Sequence, residues 1–481
     1  MISQSSSSAR TVAILTLGCK LNQADSQALA RELLAHGCQV SDRPAPADAV
    51  IINACSVTHV ADRKSRHLVR LARRLAPEAT IVLTGCYEQN GSGHDLSQRL
   101  GADWLIANAD KPAIAQRLLR RWQEQGRLGT GLAAAQPGDG LRTRASIKIQ
   151  EGCNEACAFC IVPRTRGREA SVPIRDVVVQ VLARQAEGAK EVVLTGTQLG
   201  NYGRDLGLAR GLRDLLAALL AETTVPRLRL SSLQAQDISE DLLLLWQNRR
   251  LCRHLHLPLQ SGSDRVLAAM RRRYTVDRFR RAVGLIRRRL PDVAITTDVI
   301  VGFPGEADED FQRTDDLCQE LAFAAIHVFP YSRRPGTLAA LAKEQVPHAV
   351  KRQRLKRMLH LARTSADAFR ARFRGRTLEV LWEEARTRQD GRLPLWRGLT
   401  DNYLRVYTSA RDGWASGLCA ENGSASGCRL GFDLANRLLP ARLGEPLDDG
   451  LWGELQPAAD PLPVEAGPGE PGCRQAGWIE G

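Results

Sequence analysis

Three uninterrupted apolar runs punctuate the first third of the chain: VAILTL (12–17), AVIIN (49–53) and TIVLT (80–84). None has a polar alternate face, so each predicts a parallel strand buried on both sides. Helical periodicity fills the intervals at 23–36 and 60–75. A shorter strand, WLIA (104–107), precedes a helix that starts near Lys111 with Pro112 in its first turn. The alternation predicts an open parallel α/β domain over residues 11–123.

After a linker rich in Gly and Ala (124–142), a second βα series occupies residues 143–346. Its expected strands are SIKIQ (146–150), EVVLTG (191–196), RLRLSS (227–232), HLHLPLQ (254–260), AITTDVIVG (294–302) and AAIHVFPY (324–331). Six units predict a partial (β/α)6 barrel rather than a closed eight-fold one. A basic helical segment (347–373) leads to short alternating strands such as TLEVLW (377–382) and YLRVYT (403–408), read as a small β-barrel over 375–442. Residues 455–481, rich in Pro, Gly and Glu, read as a disordered tail. The class is α/β with an added β-barrel.

Composition narrows the function. The 481 residues suffice for several domains, and 43% hydrophobic content is ordinary for a globular protein. No apolar run reaches the roughly 20 residues that span a bilayer, and MISQSSSSAR lacks the apolar core of a signal peptide. The expectation is a cytoplasmic protein with no membrane partner. The formal charge is +14 and only eight of the 67 basic residues are lysine. Codon bias explains the Arg/Lys ratio as well as selection does, but not the positive sign. A phosphate-bearing polyanion is the expected partner, because guanidinium makes forked bonds to phosphate. Twelve cysteines without a secretion signal argue against a disulfide framework.

Cys153, Cys157 and Cys160 lie in EGCNEACAFC, directly after an expected strand. Structural zinc usually takes four ligands as two separated pairs. Three close thiolates instead suit a [4Fe–4S] cluster with one iron left open. That iron can take the amino and carboxylate groups of S-adenosyl-L-methionine, and an electron from the cluster then splits the adjacent carbon–sulfur bond. The triad resembles that of the radical S-adenosylmethionine superfamily, and later strand ends, LTGTQLGNYGRD (194–205), LSSL (230–233), HLPLQSGSD (256–264) and DVIVGFPGE (298–306), look like its cofactor-binding edges, with Gly196, Ser232, Gln260 and Asp298 as candidate contacts. Ordinary βα turns favour the same residue types.

Cys19, Cys55 and Cys86 each follow one of the buried runs of the first domain. Ligands of open parallel sheets bind beyond the carboxyl ends of strands. Neighbouring strands lie about 4.8 Å apart, so the three thiols could converge on a second cluster. A single such cysteine would read as a structural thiol; it is the equivalent placement of three that points to ligation. Cys38, Cys252, Cys318, Cys419, Cys428 and Cys473 show no such pattern.

TLGCKLNQADSQ (16–27), INACSVTHVADRKSR (52–66), LTGCYEQ (83–89), IQEGCNEACAFCIVPRTRGR (149–168), LPLQSGSDRVLAAMRRRYT (257–275) and FPYSRRPGTLA (329–339) together resemble the radical S-adenosylmethionine methylthiotransferases. GLTDNYLRV (398–406) is similar to the family's RNA-binding barrel of the TRAM type. The resemblance covers about residues 11–442. It implies two [4Fe–4S] clusters, with Cys19, Cys55 and Cys86 holding the auxiliary one that delivers or holds sulfur. It also implies tRNA as substrate and an electron donor such as flavodoxin or ferredoxin, and leaves the sulfur source open. GCKLNQ and ACSVT resemble the branch that acts on threonylcarbamoyladenosine at tRNA position 37. The sibling branches act on isopentenyladenosine in tRNA or on a ribosomal-protein aspartate. An RNA-binding protein with purely structural clusters is the reading from another class, against which stands the three-thiolate arrangement occurring twice. Ala107, where relatives often carry Gly, and the stretch 421–438 depart from the family pattern.

The helix after Cys55 carries Arg63, Lys64, Arg66, His67, Arg70, Arg73 and Arg74, of which 63, 66, 70 and 73 or 74 are expected on one face. With KRQRLKRMLHLAR (351–363) it predicts a positive track for RNA. Beside the cysteines, Lys20, Asn22, Gln23, Ser56, Val57 and Thr58 are expected to face the catalytic space and to suit a polar threonylcarbamoyl group better than an apolar one.

Overall fold

The computed structural model describes residues 9–86, 100–126, 143–386, 394–409 and 433–457. The expected linker from 127 to 142 and the tail from 458 lie outside the described residues, as does most of the atypical stretch 421–438.

The first domain is a five-stranded sheet in the order β2-β1-β3-β4-β5. The strands are β1 (Thr11–Thr16), β2 (Gln39–Ser41), β3 (Ala49–Ala54), β4 (Thr80–Gly85) and β5 (Trp104–Leu105), all parallel. β3 and β4 are buried along their whole length, as uninterrupted apolar runs require. Val12, Ile14, Ile51 and Val82 pack on one face against Leu29, Leu33, Leu118 and Trp122 of helices Lys20–Ala35 and Ile114–Glu124. Ala13, Leu15, Val50, Ile52 and Leu83 pack on the other against Val69 and Ala72 of helix His59–Leu75. The edge strand β2 was not legible from its three partly exposed residues. The expected strand at 104–107 shrinks to two residues.

The middle domain contains β6 (Arg144–Lys148), β9 (Glu191–Thr195), β10 (Arg227–Leu230), β11 (His254–His256), β12 (Ala294–Val301) and β13 (Ala325–Pro330). They form two parallel three-stranded sheets, β10-β9-β6 and β11-β12-β13. Parallel bridges Leu228↔Leu251 and Ser232↔His256 join them into the expected open, partial barrel. A short antiparallel pair, β7 (Gln150–Glu151) with β8 (Ala170–Ser171), brackets the cysteine loop. Two-residue strands carry no periodic signal.

The last domain is a closed barrel in the order β14-β15-β16-β18-β17. Its strands are β14 (Thr377–Arg386), β15 (Leu395–Thr400), β16 (Arg405–Ser409), β17 (Leu438–Leu447) and β18 (Gly450–Leu455). The boundary at 442 is therefore too early. β18 pairs with both β16 and β17 and closes the edge that a four-stranded sheet would expose. The strand expected at 403–408 starts at Arg405, because Tyr403 turns with φ 68°.

Arginines from β10 and β11 dock this barrel onto the middle domain. Arg227 donates to the carbonyls of Leu399 (2.9 Å) and Glu379 (2.8 Å). Arg229 donates to those of Asp401 (2.9 Å) and Thr400 (3.2 Å), and Arg253 grips the Asp401 carboxylate at 2.6 and 3.0 Å. Beneath them the fully buried Glu191 receives Arg229 Nε and Nη2 at 2.7 and 2.9 Å. Among the described residues no helix is long and apolar enough to cross a membrane.

Candidate active site

Cys19, Cys55 and Cys86 sit just beyond the carboxyl ends of β1, β3 and β4, three adjacent strands. The glycines before the first and third make this possible. Gly18 has φ 97° and a Cβ there would fall 2.8 Å from Cys55 Cβ; Gly85 has φ 99° and its Cβ would meet the Ala54 carbonyl at 2.3 Å. Burial pushes the Cys55 thiol up to about 11, and the Cys86 and Cys19 sulfurs beside it add to the effect. All three line one cavity, and a shared cation is what makes neighbouring thiolates stable together. The set fits a cluster.

The second set lies on the loop after β7. Cys160 N–H donates to the Cys157 carbonyl at 3.2 Å, winding the loop back on itself. Its sulfurs receive hydrogen bonds: Glu155 N–H to Cys153 (3.4 Å), Val162 N–H to Cys160 (3.5 Å) and Arg272 to Cys157 (3.5 Å). Burial pushes Cys160 up to about 12, with Cys157 and Cys153 adding to it. N–H donors aimed at sulfur, with an arginine among them, suit thiolates on a metal cluster. This set also fits. Among the other six cysteines, Cys38, Cys252 and Cys318 are buried, and the rest lie outside the described residues.

A cavity of about 680 Å³ lies between the domains. The three N-terminal cysteines line it, and so do Gly196, Ser232, Gln260 and Asp298, the four residues expected at a cofactor site. Gln260 adopts φ 66°, locked by its N–H to the Asp298 carbonyl (2.8 Å) and by Ile300 N–H donating to its own carbonyl (2.9 Å). Asp298 lies between His256 Nε2 (3.3 Å) and His327 Nδ1 (3.1 Å). Burial pushes its carboxyl up, but the two imidazoles outweigh burial and hold it well below the usual carboxylate range.

Other residues at the cavity were not singled out from the sequence. Arg166, in RTRGR, is buried; its Nε reaches Cys86 Sγ at 3.3 Å and Nη1 reaches Glu151 at 2.6 Å, while Nη2 bonds Asn22 Oδ1. Arg272 bonds Tyr274 (3.2 Å) and Gln234 (3.1 Å) as well as Cys157. His254 lies on the cavity wall and its Nε2 meets Thr296 Oγ1 at 3.1 Å. Tyr403 reaches the same wall from the C-terminal barrel.

The expected substrate-facing set divides. Lys20, Asn22, Gln23 and Val57 line the cavity. The Asn22 amide, however, is spent on the carbonyls of Leu17 (2.7 Å) and Ala54 (2.9 Å) and on Arg166. Ser56 bonds the Cys86 carbonyl, and Thr58 Oγ1 caps helix His59–Leu75 by accepting from Ala61 N–H at 3.1 Å. These three hold the cysteine loops in place.

The basic face of that helix also shifts. Arg66 pairs with Asp62 at 2.9 Å and Arg73 with Asp103 at 2.8 Å. The exposed set is Arg63, Lys64, His67, Arg70 and Arg74, in which 63, 67, 70 and 74 share one face. In the segment 351–363, Arg354 turns inward to Glu306 (3.1 Å) and Asp308 (2.7 Å), and Arg357 pairs with Asp315 (2.8 Å).

Comparison with known proteins adds to this geometry. Residues 147–318 match the model of the Radical SAM superfamily, and residues 11–107 match Uncharacterized protein family UPF0004. Threonylcarbamoyladenosine tRNA methylthiotransferase MtaB of Bacillus subtilis is 36% identical, over 82% of this chain and 90% of that protein. Its Aquifex aeolicus namesake is 35% identical over 82% and 96%. The tRNA-2-methylthio-N(6)-dimethylallyladenosine synthase of Thermobifida fusca is 36% identical over 80% of each. The solved structure of the radical S-adenosylmethionine methyltransferase TsrM from Kitasatospora setae superposes with a TM-score of 0.49 at 17% identity, over 69% of this chain and 77% of that one, a likeness that carries no argument about function. One thiol set on the cavity wall, a second bonded to the wall residues Val162 and Arg272, and a chain that spans nearly the full length of such relatives identify a radical S-adenosylmethionine enzyme of the tRNA methylthiotransferase family.

Proposed function

We propose that this enzyme methylthiolates N6-threonylcarbamoyladenosine at position 37 of tRNA, on carbon 2 of the base. The observation that carries this reading is the shared cavity. One wall bears Cys19, Cys55 and Cys86, the other bears the strand ends of the partial barrel, and Lys20, Gln23, Gln234 and Arg272 bring polar groups to it. The MtaB relatives carry the substrate in their name.

In this reading Cys153, Cys157 and Cys160 hold the [4Fe–4S] cluster that binds S-adenosyl-L-methionine, and Cys19, Cys55 and Cys86 hold the auxiliary one. When bound, these groups supply a radical that removes hydrogen from the target carbon and the methylated sulfur that replaces it. The chain's own residues prepare the site. Arg272 and Arg166 place positive charge against Cys157 and Cys86, offsetting the negative charge of the thiolates. Gly196 has no room for a side chain, because a Cβ would lie 2.9 Å from Leu199 Cδ2 and 3.0 Å from Gln150 Oε1, and it presents bare backbone to the cavity. Ser232, Gln260 and Asp298 offer hydroxyl, amide and carboxylate contacts to it. Asp298 stays ionised between its two histidines and so can hold a cationic group. Arg63, Lys64, Arg70 and Arg74, exposed and without an ion pair among the described residues, offer charges to RNA phosphates. A one-electron donor such as flavodoxin or ferredoxin completes the cycle.

The second reading, isopentenyladenosine as substrate, has a named relative in its favour. Nucleoside mass analysis of tRNA from cells lacking this protein separates the two. Loss of 2-methylthio-threonylcarbamoyladenosine is the expected result; loss of the isopentenyl derivative alone would overturn the branch.

A further inference from the structure

Most basic side chains lining the cavity already have polar partners. Arg166 is held by Glu151 and Asn22, Arg272 by Gln234 and Tyr274, and His256 and His327 share Asp298. Lys20 differs. Among the described residues its ammonium has no carboxylate partner and no hydrogen-bond acceptor, yet it lines the cavity on the side of the N-terminal cysteines.

Its contact is aromatic. Lys20 Nζ lies 5.4 Å from the ring centroid of Tyr403, which stacks on His254 at 4.2 Å and 11° and receives the Arg229 guanidinium at 5.0 Å. Tyr403 belongs to the turn between β15 and β16, the turn that Arg229 and Arg253 pin to the middle domain. A residue of the C-terminal barrel thus sets the position of a cation in the catalytic cavity. Cation–π contact fixes an ammonium without neutralising it and leaves its N–H donors available.

Resting on the threonylcarbamoyl reading above, we propose that Lys20, positioned by Tyr403, pairs with the carboxylate of the substituent on the target adenosine. Discrimination against uncharged substituents is made at this pair. Among the described residues Asp298 is the one carboxylate lining this cavity, and it is occupied by two histidines, so on this side an incoming carboxylate meets no rival for Lys20. The carboxylate of S-adenosylmethionine is the other candidate for this lysine. That group is expected at the open iron beside the Cys153 loop, whereas Lys20 directly follows Cys19.

The test is equilibrium binding of anticodon stem–loop RNAs to the anaerobically reconstituted enzyme. One RNA carries threonylcarbamoyladenosine, the second carries the same nucleoside with its carboxyl methylated, and S-adenosylmethionine binding is measured alongside. Wild type should prefer the free acid by about tenfold or more. Lys20→Met should bring the ratio close to one and Lys20→Arg should keep it. Tyr403→Ala should lower the ratio several-fold, with Tyr403→Phe restoring it, which a purely structural role for the ring would not do through a ratio. Iron content confirms that each variant is assembled. A Lys20→Met enzyme that keeps the full ratio overturns the proposal, and so does one that loses affinity only for S-adenosylmethionine. If wild type thiolates the threonylcarbamoyl RNA but binds acid and ester equally well, this inference fails and the substrate assignment stands. If wild type thiolates isopentenyl RNA alone, the substrate assignment itself fails.

Discussion

Arg166 Nε donates to Cys86 Sγ across 3.3 Å, joining residues 80 positions apart. Arg166 follows the CxxxCxxC loop and Cys86 directly follows a strand of the first domain. The same guanidinium reaches Glu151, and lies 3.6 Å from Asp25, which is itself paired with Lys111 and Lys148. The two thiol sets are thus tied by one buried charge network. Arg166→Met should leave Cys86 and Asn22 without their donor and Glu151 with Lys148 alone, and cost about 1–3 kcal/mol of stability. Anaerobic denaturant melts of both proteins measure this, and an unchanged midpoint would refute the role.

The two cysteine sets should separate by function. Ala in place of Cys153, Cys157 or Cys160 should abolish cleavage of S-adenosylmethionine to 5′-deoxyadenosine. Ala in place of Cys19, Cys55 or Cys86 should leave some cleavage and stop methylthio transfer. Iron should fall from about eight to about four per chain in either case. An N-terminal variant that thiolates RNA at the wild-type rate would contradict the assignment.

Acid should loosen the joint between the middle domain and the C-terminal barrel. Burial pushes the Glu191 carboxyl up, but the charge and hydrogen bonds of Arg229, with Arg144 and Arg227, outweigh it and hold it below the ordinary range. In the unfolded chain the same group protonates at about 4.3. Its stabilisation is therefore complete above that value and lost as pH falls through the lower folded one. Glu191→Gln should cost about 3–5 kcal/mol at neutral pH and flatten the acid limb of the stability curve below about pH 4. Equal acid limbs in variant and wild type would exclude this role. Deleting the barrel outright is a poorer test of RNA binding, because it would strand Arg227 and Arg229 without their carbonyl partners.

Binding of tRNA should weaken steeply with salt. Replacing Arg63, Lys64, Arg70 and Arg74 together with Ala should reduce the slope of log K against log salt by about 3. Each is exposed and without an ion pair among the described residues, so thermal stability should change little. Arg66→Ala and Arg73→Ala, whose side chains are already paired, should alter the slope less.

What the sequence determined by itself is local or periodic. Uninterrupted apolar runs announce β1, β3 and β4 because a strand covered on both faces has no polar position. CxxxCxxC announces a grouped thiol set because three thiols on one short loop need no tertiary structure to meet. Gly before Cys19 and before Cys86 is legible too, since only glycine tolerates those dihedrals and the close approach behind them. What tertiary structure alone decided is the pairing of polar groups distant in the chain. Nothing in the sequence distinguishes Asn22, spent on Arg166 and two carbonyls, from Lys20, left facing the cavity. Nor does it separate Arg73, tied to Asp103, from Arg70. β18 and the placement of Tyr403 depend on closing the C-terminal barrel and docking it on Arg229 and Arg253. Burying apolar side chains leaves a periodic trace because it needs only a face. Satisfying a buried charge or amide needs one particular partner at one distance, and the chain records that partner nowhere near the residue it serves.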